Sequence, residues 1–333
     1  MQKVLVVRIG RLGDTIMATP VIEALHQALG TGTSIDFVTS PGASAHILEL
    51  DQRVSRVFAV AHRSTPWRLN RGKRALEQHS RQHPYDLVIN LECGEECDDF
   101  IRFVHHQEFC GRPLVEPRHN ANRHCVDTEK SIYAGMLGET ITAAAETSLQ
   151  LNLDEPALPV PAGSDYVVIN PGFSGIQKAG YRSHRAWPPA HWQKLITLLH
   201  ESAGLCVLIN GTGDEQQYFA SLLECPGVFS LFGSSLADLA SVLAGSRALI
   251  TLDTGTMHLG IALGTPVVSL FGPTNPLLTG PYSKQVPHDV LVSAVDCQPC
   301  VNTPGQKQCS FNRCMSELQP EKVFEAGQAL LTH

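Results

Sequence analysis

The sequence lacks any long apolar run. None of its 333 residues fall in a stretch of ~18 consecutive apolar residues, so no helix is expected to span a bilayer. The apolar segment after Met1 is short and is not followed by a small-residue cleavage site, which argues against a signal peptide. We therefore expect a cytoplasmic protein.

Basic charge is also scarce. The chain has 25 Lys and Arg residues against 32 Asp and Glu residues, which gives a net charge of −7. A general nucleic-acid-binding protein normally carries a basic excess, so no nucleic-acid partner is expected. Charged residues make up 17% of the chain and hydrophobic residues 43%, which is typical of a folded globular protein.

The chain is long for a single core, because domains usually contain roughly 100–200 residues. Three prolines and a glycine cluster at Pro156, Pro159, Pro161 and Gly163, and they predict a linker over 154–163. We expect two domains, at 1–155 and at 164–333. The last helix is a candidate to pack back on the first domain.

Apolar strands alternate with helical patterns on both sides of the linker. An apolar stripe from Ile16 to Leu29 predicts one helix, and Gln107–Thr128 is predicted to be a long loop. The predicted strands are Val4–Val7, Ile35–Val38, Asp86–Asn90, Tyr166–Asn170, Leu205–Asn210, Ala248–Leu252 and Val267–Phe271. This alternation predicts an α/β protein with two doubly wound parallel sheets.

Three loops at strand ends of the second domain are candidates for a nucleotide site. The loop Asp253–His258 opens a helix whose N-terminus suits a phosphate, with Thr254 and Gly255 at that end. Alternatively, Asp253 or Thr254 merely caps the helix and His258 is a packed histidine. In Pro171–Gly175, Ser174 is a candidate phosphate contact.

The third loop, Gly211–Glu215, places Glu215 or Asp214 to accept hydrogen bonds from ribose hydroxyls. Its alternative interpretation is a plain turn with Asp214 as a helix cap. Arg185, further along the chain, could neutralise a diphosphate.

The first domain opens with a different loop, Gly10-x-x-Gly13-Asp14. It lacks the third glycine of a dinucleotide fingerprint, which disfavours a dehydrogenase. Asp14 is either a helix cap or a general base that takes a proton from an attacking hydroxyl. Arg8 and Arg11 flank it and are candidate contacts to an anionic acceptor.

Four cysteines cluster near the C-terminus. Cys297 and Cys300 are followed by Cys309 and Cys314, and two interpretations stay open. They could form a tetrahedral structural site for zinc or iron, or they could be free thiols. No catalytic use is expected.

Taken together, these motifs resemble glycosyltransferase family 9, the ADP-heptose:lipopolysaccharide heptosyltransferases. The resemblance rests on several segments in the right order: Arg8–Asp14 with Thr19-Pro20, Ile169–Gly172, Trp187–Trp192, Asp253–His258, Gly264–Val268 and Phe271–Thr274. It implies a GT-B fold, in which two Rossmann-like domains face each other across a cleft. The acceptor would bind the first domain, 1–155, and the donor the second, 164–333. It also implies an inverting transfer that needs no metal.

The resemblance also implies roles for individual residues. Asp14 falls on the family's catalytic base. The implied donor contacts are Ser174, Arg185, Glu215, Asp253, Thr254, Gly255 and His258. The match departs from the family between Phe173 and Arg185, where this chain has extra residues and an arginine replaces the usual lysine, and over Cys93–Cys125, where the acceptor should bind.

The implied partners are ADP-heptose and a lipid A-core oligosaccharide, at the inner face of the inner membrane. Two alternatives remain. The chain could be a related glycosyltransferase acting on a protein or another glycan, or a non-catalytic nucleotide-binding protein of the same fold.

Overall fold

The computed structural model describes residues 2–61, 65–92, 101–111, 123–179 and 183–331. The chain divides into two compact units, Met1–Asn152 and Leu153–His333. Much of the segment Cys93–Cys125, where the acceptor was predicted to bind, lies outside the described residues. Within the described ranges, no helix has the length and apolar character that crossing a membrane requires.

The first unit is built on a parallel sheet. Apolar strands with both faces buried form its centre, as their continuous apolar runs predict. Its strands are β1 (Lys3–Val7), β2 (Ser34–Thr39), β3 (Arg56–Ala59), β4 (Tyr85–Asn90) and β5 (His106–Gly111). The order across the sheet is β3-β2-β1-β4-β5, so the direction of winding reverses between β1 and β4.

The helices of the first unit connect these strands. They are α1 (Leu12–Met17), α2 (Pro20–Leu29), α3 (Ala43–Glu49), α4 (Arg71–Gln82), α5 (Cys125–Leu137) and α6 (Glu139–Ala144), with a 3₁₀ turn at Trp67–Leu69. The prediction of one helix from Ile16 to Leu29 is wrong. Ala18 ends α1, and α2 begins at Pro20, whose ring nitrogen has no N–H to continue a helical ladder.

The predicted long loop over Gln107–Thr128 is wrong at both ends. Its first residues belong to the edge strand β5, and α5 begins at Cys125. Three of the six residues of β5 are exposed and none is fully buried, so it lacks the apolar run by which a buried strand is recognised. Residues 112–122 lie outside the described part of the chain.

The second unit contains a larger parallel sheet. Its strands are β6 (Tyr166–Asn170), β7 (Cys206–Ile209), β8 (Val228–Ser230), β9 (Leu249–Leu252), β10 (Val267–Phe271) and β11 (His288–Val292). The order is β11-β10-β9-β6-β7-β8, and winding reverses between β6 and β9. In doubly wound sheets, ligands bind beyond the carboxyl ends of the strands at such a reversal.

The helices of the second unit lie between and after these strands along the chain. They are α7 (Ile176–Ala179), α8 (Pro189–Thr197, continued by a π-helical turn to Ser202), α9 (Ala220–Leu223), α10 (Leu236–Ala244), α11 (Gly255–Ala262), α12 (Pro276–Thr279), α13 (Pro304–Gln308), α14 (Arg313–Ser316) and α15 (Pro320–Leu331), with a 3₁₀ helix at Gly213–Tyr218.

Two tryptophans anchor the core of this unit. Trp187 and Trp192 are fully buried and pack edge to face, with ring centroids 4.7 Å apart, as expected for core residues rather than a stacking platform. The Trp187 indole donates a hydrogen bond to the Leu318 carbonyl at 3.0 Å. The final helix α15 packs against α8, β10 and β11 of its own unit.

Candidate active site

The loop after β9 leads directly into the N-terminus of α11. All four residues of β9 are buried, and Thr254 is the N-cap residue of the helix. The Thr254 side chain makes no capping hydrogen bond, and its Oγ1 instead lies 3.3 Å from Thr251 Oγ1. Thr254 therefore occupies the predicted cap position, but its side chain does not cap the helix, and the first-turn N–H groups from Gly255 onward receive no hydrogen bond from it.

Arg185 is anchored on this loop. Its Nη1 donates to the Asp253 carbonyl at 3.1 Å, and its Nη2 lies 3.7 Å from Asp253 Oδ2. Burial raises the pKa of Asp253, while the Arg185 charge and the nearby Thr274 hydroxyl partly oppose that rise. The Thr274 hydroxyl is close to the carboxylate but does not reach hydrogen-bonding geometry. Because the Arg185 side chain is 35% exposed, it can still meet an anion.

The loop after β7 folds back against the loop after β6. Thr212 is the N-cap of the 3₁₀ helix, and its N–H donates to Glu215 Oε2 at 2.8 Å. The cap at this turn is thus a Thr212–Glu215 pair and not Asp214. A Cβ at Gly172 would lie 2.9 Å from Glu215 Oε1, so the carboxylate rests directly on the Gly172 backbone.

Asn170, the last residue of β6, joins the three loops. Its Oδ1 accepts a hydrogen bond from Asn210 Nδ2 at 2.7 Å and one from Thr256 Oγ1 at 3.3 Å. Asn210 precedes the Gly211–Glu215 loop, and Thr256 lies in the first turn of α11. The structure therefore brings the three predicted donor loops together at the reversal point of the second sheet.

Two further predicted donor residues differ in exposure. His258 lies in the first turn of α11 and is 5% exposed, so it is part of the packed wall behind the loop. Ser174 is exposed on the loop after β6, where its hydroxyl makes no hydrogen bond with the described residues.

Asp14 occupies the corresponding edge of the first sheet. It is the third residue of α1, and its Oδ2 accepts the Arg11 N–H at 3.0 Å, so it does cap the helix. Its Oδ1 accepts from Arg8 Nη2 at 3.0 Å, and the side chain remains 35% exposed. Capping and availability to a substrate hydroxyl are therefore compatible at this residue.

Gly10 makes this arrangement sterically feasible. A Cβ at position 10 would lie 2.5 Å from the Asp14 Cβ, well inside any real carbon–carbon contact. The Gly10 carbonyl also accepts a hydrogen bond from Ser44 Oγ at 3.0 Å, which fixes the loop. A side chain at position 10 would displace Asp14.

The prediction of Arg8 as a direct acceptor contact needs correction. Its side chain is only 2% exposed, and its donors are already bound to the carboxylates of Glu129, Glu92 and Asp14. Burial alone would lower the pKa of Arg8, but these three carboxylates raise it above its ordinary value. Arg8 therefore stays charged beneath the surface, whereas Arg11 is exposed at the edge and remains a candidate acceptor contact.

Comparison with known proteins identifies the family to which this chain belongs. The family model described as "Glycosyltransferase family 9 (heptosyltransferase)" matches residues 100–311, which is more than half of the chain. The chain belongs to glycosyltransferase family 9. It is therefore an enzyme that transfers a sugar, as the sequence motifs predicted.

Individual relatives of this family 9 enzyme agree with that placement. Lipopolysaccharide heptosyltransferase 1 of Pseudomonas aeruginosa is 28% identical, over 99% of this chain and 98% of its own length. A family 9 glycosyltransferase from Veillonella parvula DSM 2008 superposes with a TM-score of 0.78 at 20% identity, covering 99% of this chain and 97% of its own. E. coli heptosyltransferase WaaC with ADP-2-deoxy-2-fluoro heptose gives a TM-score of 0.69 at 23% identity, with coverages of 97% and 98%.

These similarities confirm the predicted fold. The solved structures share the GT-B fold, and the family 9 enzyme has the same α/β architecture with two parallel sheets. At these identities the solved structures establish the fold alone.

The C-terminal cysteines of the enzyme differ in exposure. Cys297 is exposed, Cys300 and Cys309 are half-buried, and Cys314 is buried. In the part of the chain that the structure describes, no group of three or more His, Cys, Asp or Glu side chains is placed to hold a metal ion. A zinc or iron site at these cysteines stays a prediction. The cysteine segment also contacts the loop after β10, because the Cys300 N–H donates a hydrogen bond to the Pro273 carbonyl at 2.8 Å.

Two acids of the first unit were missed by sequence reasoning. Glu92 follows β4 by two residues, and Glu129 lies inside α5, yet both bind Arg8. Glu92 could have been recognised, because it is a polar residue just past a buried strand that neighbours β1. Glu129 could not, since nothing in the sequence of α5 indicates which strand end that helix approaches.

Proposed function

We propose that the enzyme transfers heptose from ADP-heptose to a sugar of the lipopolysaccharide inner core, with inversion at the anomeric carbon. The observation that carries the proposal is the convergence of the three strand-end loops on Asn170, together with membership of family 9. The name of the Pseudomonas aeruginosa relative supports the acceptor class, and the ligand of the E. coli structure supports the donor.

In the proposed reaction, Asp14 removes the proton from the acceptor hydroxyl. The resulting oxygen attacks the anomeric carbon of heptose, the bond from that carbon to the diphosphate oxygen breaks, and ADP leaves. Arg185 and the α11 N-terminus stabilise the charge that develops on the diphosphate, and no metal is required. Arg11 is proposed to contact the anionic acceptor.

The remaining donor contacts are assigned by position. Glu215 accepts from the ribose hydroxyls, Ser174 donates to a phosphate, and His258 supports the loop from behind. Asp253 holds Arg185 in place through its carbonyl and carboxylate.

Contact with the inner face of the inner membrane is part of the same proposal. The surface formed by the 3₁₀ turn and α4, here called the basic helix surface, supports it. Exposed Arg68, Arg71, Arg74 and Arg81 lie on it, and Leu69 is 75% exposed. Glu77 is the sole acid of these two elements. Anionic headgroups attract such clusters by about 1 kcal/mol for each Lys or Arg.

The test combines a substrate panel with a base variant. ADP-heptose, but not other nucleotide sugars, should support transfer to a lipopolysaccharide acceptor that lacks inner-core heptose. Asp14→Asn should lower kcat by about 10²–10⁴-fold while ADP affinity is retained, because the change removes a base and leaves the second unit intact.

The matched control is Asp86→Asn. Asp86 accepts hydrogen bonds from the Lys3 N–H at 2.8 Å and from Gln107, and its loss should leave transfer near the wild-type rate. Transfer by Asp14→Asn at the control's rate would show that Asp14 is only a helix cap.

A further inference from the structure

Arg8 is enclosed by three carboxylates, two of which have no role in the proposed reaction. Its Nε donates to Glu129 Oε1 at 2.7 Å, its Nη1 to Glu92 Oε1 at 2.9 Å, and its Nη2 to Asp14 Oδ1 at 3.0 Å. Each edge of the guanidinium is thus used by a different acid. Only the last of these acids is substantially exposed.

The two inner acids are themselves fixed. The Glu92 side chain is fully buried, and its Oε1 also accepts the Ile9 N–H at 2.7 Å. The Glu129 side chain is 10% exposed and comes from α5, more than a hundred residues along the chain. These contacts leave the Arg8 guanidinium little freedom to rotate. Because the group is planar, holding Nε and Nη1 in place also fixes the direction in which Nη2 points.

The charge balance is unusual for a purely structural ion pair. One buried guanidinium faces three carboxylates, although a single acid would compensate it. Burying extra carboxylates costs free energy, and active sites commonly contain buried groups of like charge. The cluster also lies at the reversal point of the first sheet, where β1 and β4 end side by side.

We infer that Glu92 and Glu129 are positioning residues for the transfer reaction, which act on Asp14 through Arg8. They aim Nη2 at Asp14 Oδ1, which fixes the orientation of the carboxylate. They also share the positive charge of Arg8, so that Asp14 is oriented by an arginine without losing its strength as a base. This inference rests on the proposed role of Asp14.

In the part of the chain that the structure describes, the charged groups around Asp14 include two arginines of its own loop and two glutamates from elsewhere in the first unit. Arg8 follows β1, Arg11 precedes α1, Glu92 follows β4 and Glu129 belongs to α5. Replacing either glutamate by glutamine keeps a hydrogen-bonding oxygen but removes one negative charge. Arg8 then interacts more strongly with Asp14, which becomes a weaker base.

The experiment measures kcat, both KM values and the pH dependence of kcat for Glu92→Gln and Glu129→Gln. We expect kcat to fall about tenfold or more, the KM for the donor to stay unchanged, and the acid limb of the profile to move to lower pH. Glu129→Asp retains the charge and should restore the position of that limb. A merely structural role would not move it.

The matched control is Glu23→Gln in the same unit. Glu23 accepts hydrogen bonds from the Glu146 N–H at 3.1 Å and from Gln27 Nε2 at 2.9 Å, and neither partner belongs to the Arg8 cluster. If the two glutamine variants keep the wild-type pH profile, as this control should, the inference is overturned. If neither variant folds, as judged by thermal unfolding, the two acids serve stability and the inference is also overturned.

Failure of the proposed function has a different signature. In that case Asp14→Asn would retain transfer, whatever the glutamate variants do. An inactive Asp14→Asn beside unaffected glutamine variants would leave the base in place and reject only the positioning role.

Discussion

At the scale of single residues, Asp253 shows how burial changes the pKa of a carboxylate. Its pKa is raised from the ordinary value of 3.8, because burial outweighs the opposing Arg185 and Thr274. The folded protein therefore holds this proton more tightly than the unfolded chain does. A rise in pH through the window between 3.8 and the raised value lowers the free energy of unfolding.

This sign gives a prediction for Asp253→Asn. As the pH rises from 3.8, the Tm of the wild type should fall relative to that of the variant, and the difference should level off above the raised pKa. Each pH unit by which the pKa is raised corresponds to about 1.4 kcal/mol. Thermal unfolding at a series of pH values measures this difference in Tm, with Asp214→Asn as a control at an exposed carboxylate. Parallel curves for the wild type and Asp253→Asn would contradict the prediction.

The positions of candidate site residues were predictable where they depend on strand ends. Asp253, Glu215 and Asp14 follow buried strands, and the carboxyl ends of parallel strands meet at one edge of the sheet. Arg8 shows the limit of this reasoning. Its position beside Asp14 was predictable, but its burial against Glu129 depends on a helix far along the chain, and a sequence does not show that packing.

At the scale of elements, the strands that are buried on both faces were predicted most accurately. The central strands β1, β6 and β10 were predicted to within one residue, because a strand buried on both faces is a continuous apolar run. The strands β3, β5, β8 and β11 were missed. They lie away from the centre of each sheet, where polar residues such as Arg56 and Glu108 interrupt the apolar run.

The C-terminal cysteine segment gives a prediction at this scale. Burial, with the neighbouring Cys300, Cys297 and Cys309, raises the pKa of Cys314 from 9.0 to about 11. The exposed Cys297 should therefore react first with iodoacetamide at pH 8, and Cys314 should react last, at least about tenfold more slowly.

Peptide mass spectrometry of timed samples measures these rates, with fully unfolded protein as the control in which the four rates converge. A bound zinc or iron ion would give a different result. All four cysteines would then be protected together and released together by a chelator.

At the scale of the whole molecule, the distribution of charge gives a prediction about membranes. The net charge is −7, yet the basic helix surface concentrates exposed arginines around Leu69. The double variant Arg71→Glu with Arg74→Glu should lose most binding to vesicles that contain phosphatidylglycerol, because it replaces attraction by repulsion. Co-sedimentation at low and high salt measures this.

The control has the same change in charge elsewhere. Lys307→Glu with Lys322→Glu reverses two exposed cations of the second unit and should retain binding. Equal loss in both double variants would indicate that net charge alone governs the association. Unaltered binding in both would place the membrane contact on another surface.

The reversal of winding in the first sheet also determines when, during protein synthesis, the contacts around Arg8 can form. β1 gains β2 as a neighbour early, but its other neighbour β4 comes about eighty residues later, and Glu129 is 121 residues from Arg8. Contacts this distant in sequence form slowly and only after the intervening chain has been made. On the ribosome, Arg8 therefore begins as a hydrated cation and is enclosed only after α5 has left the exit tunnel.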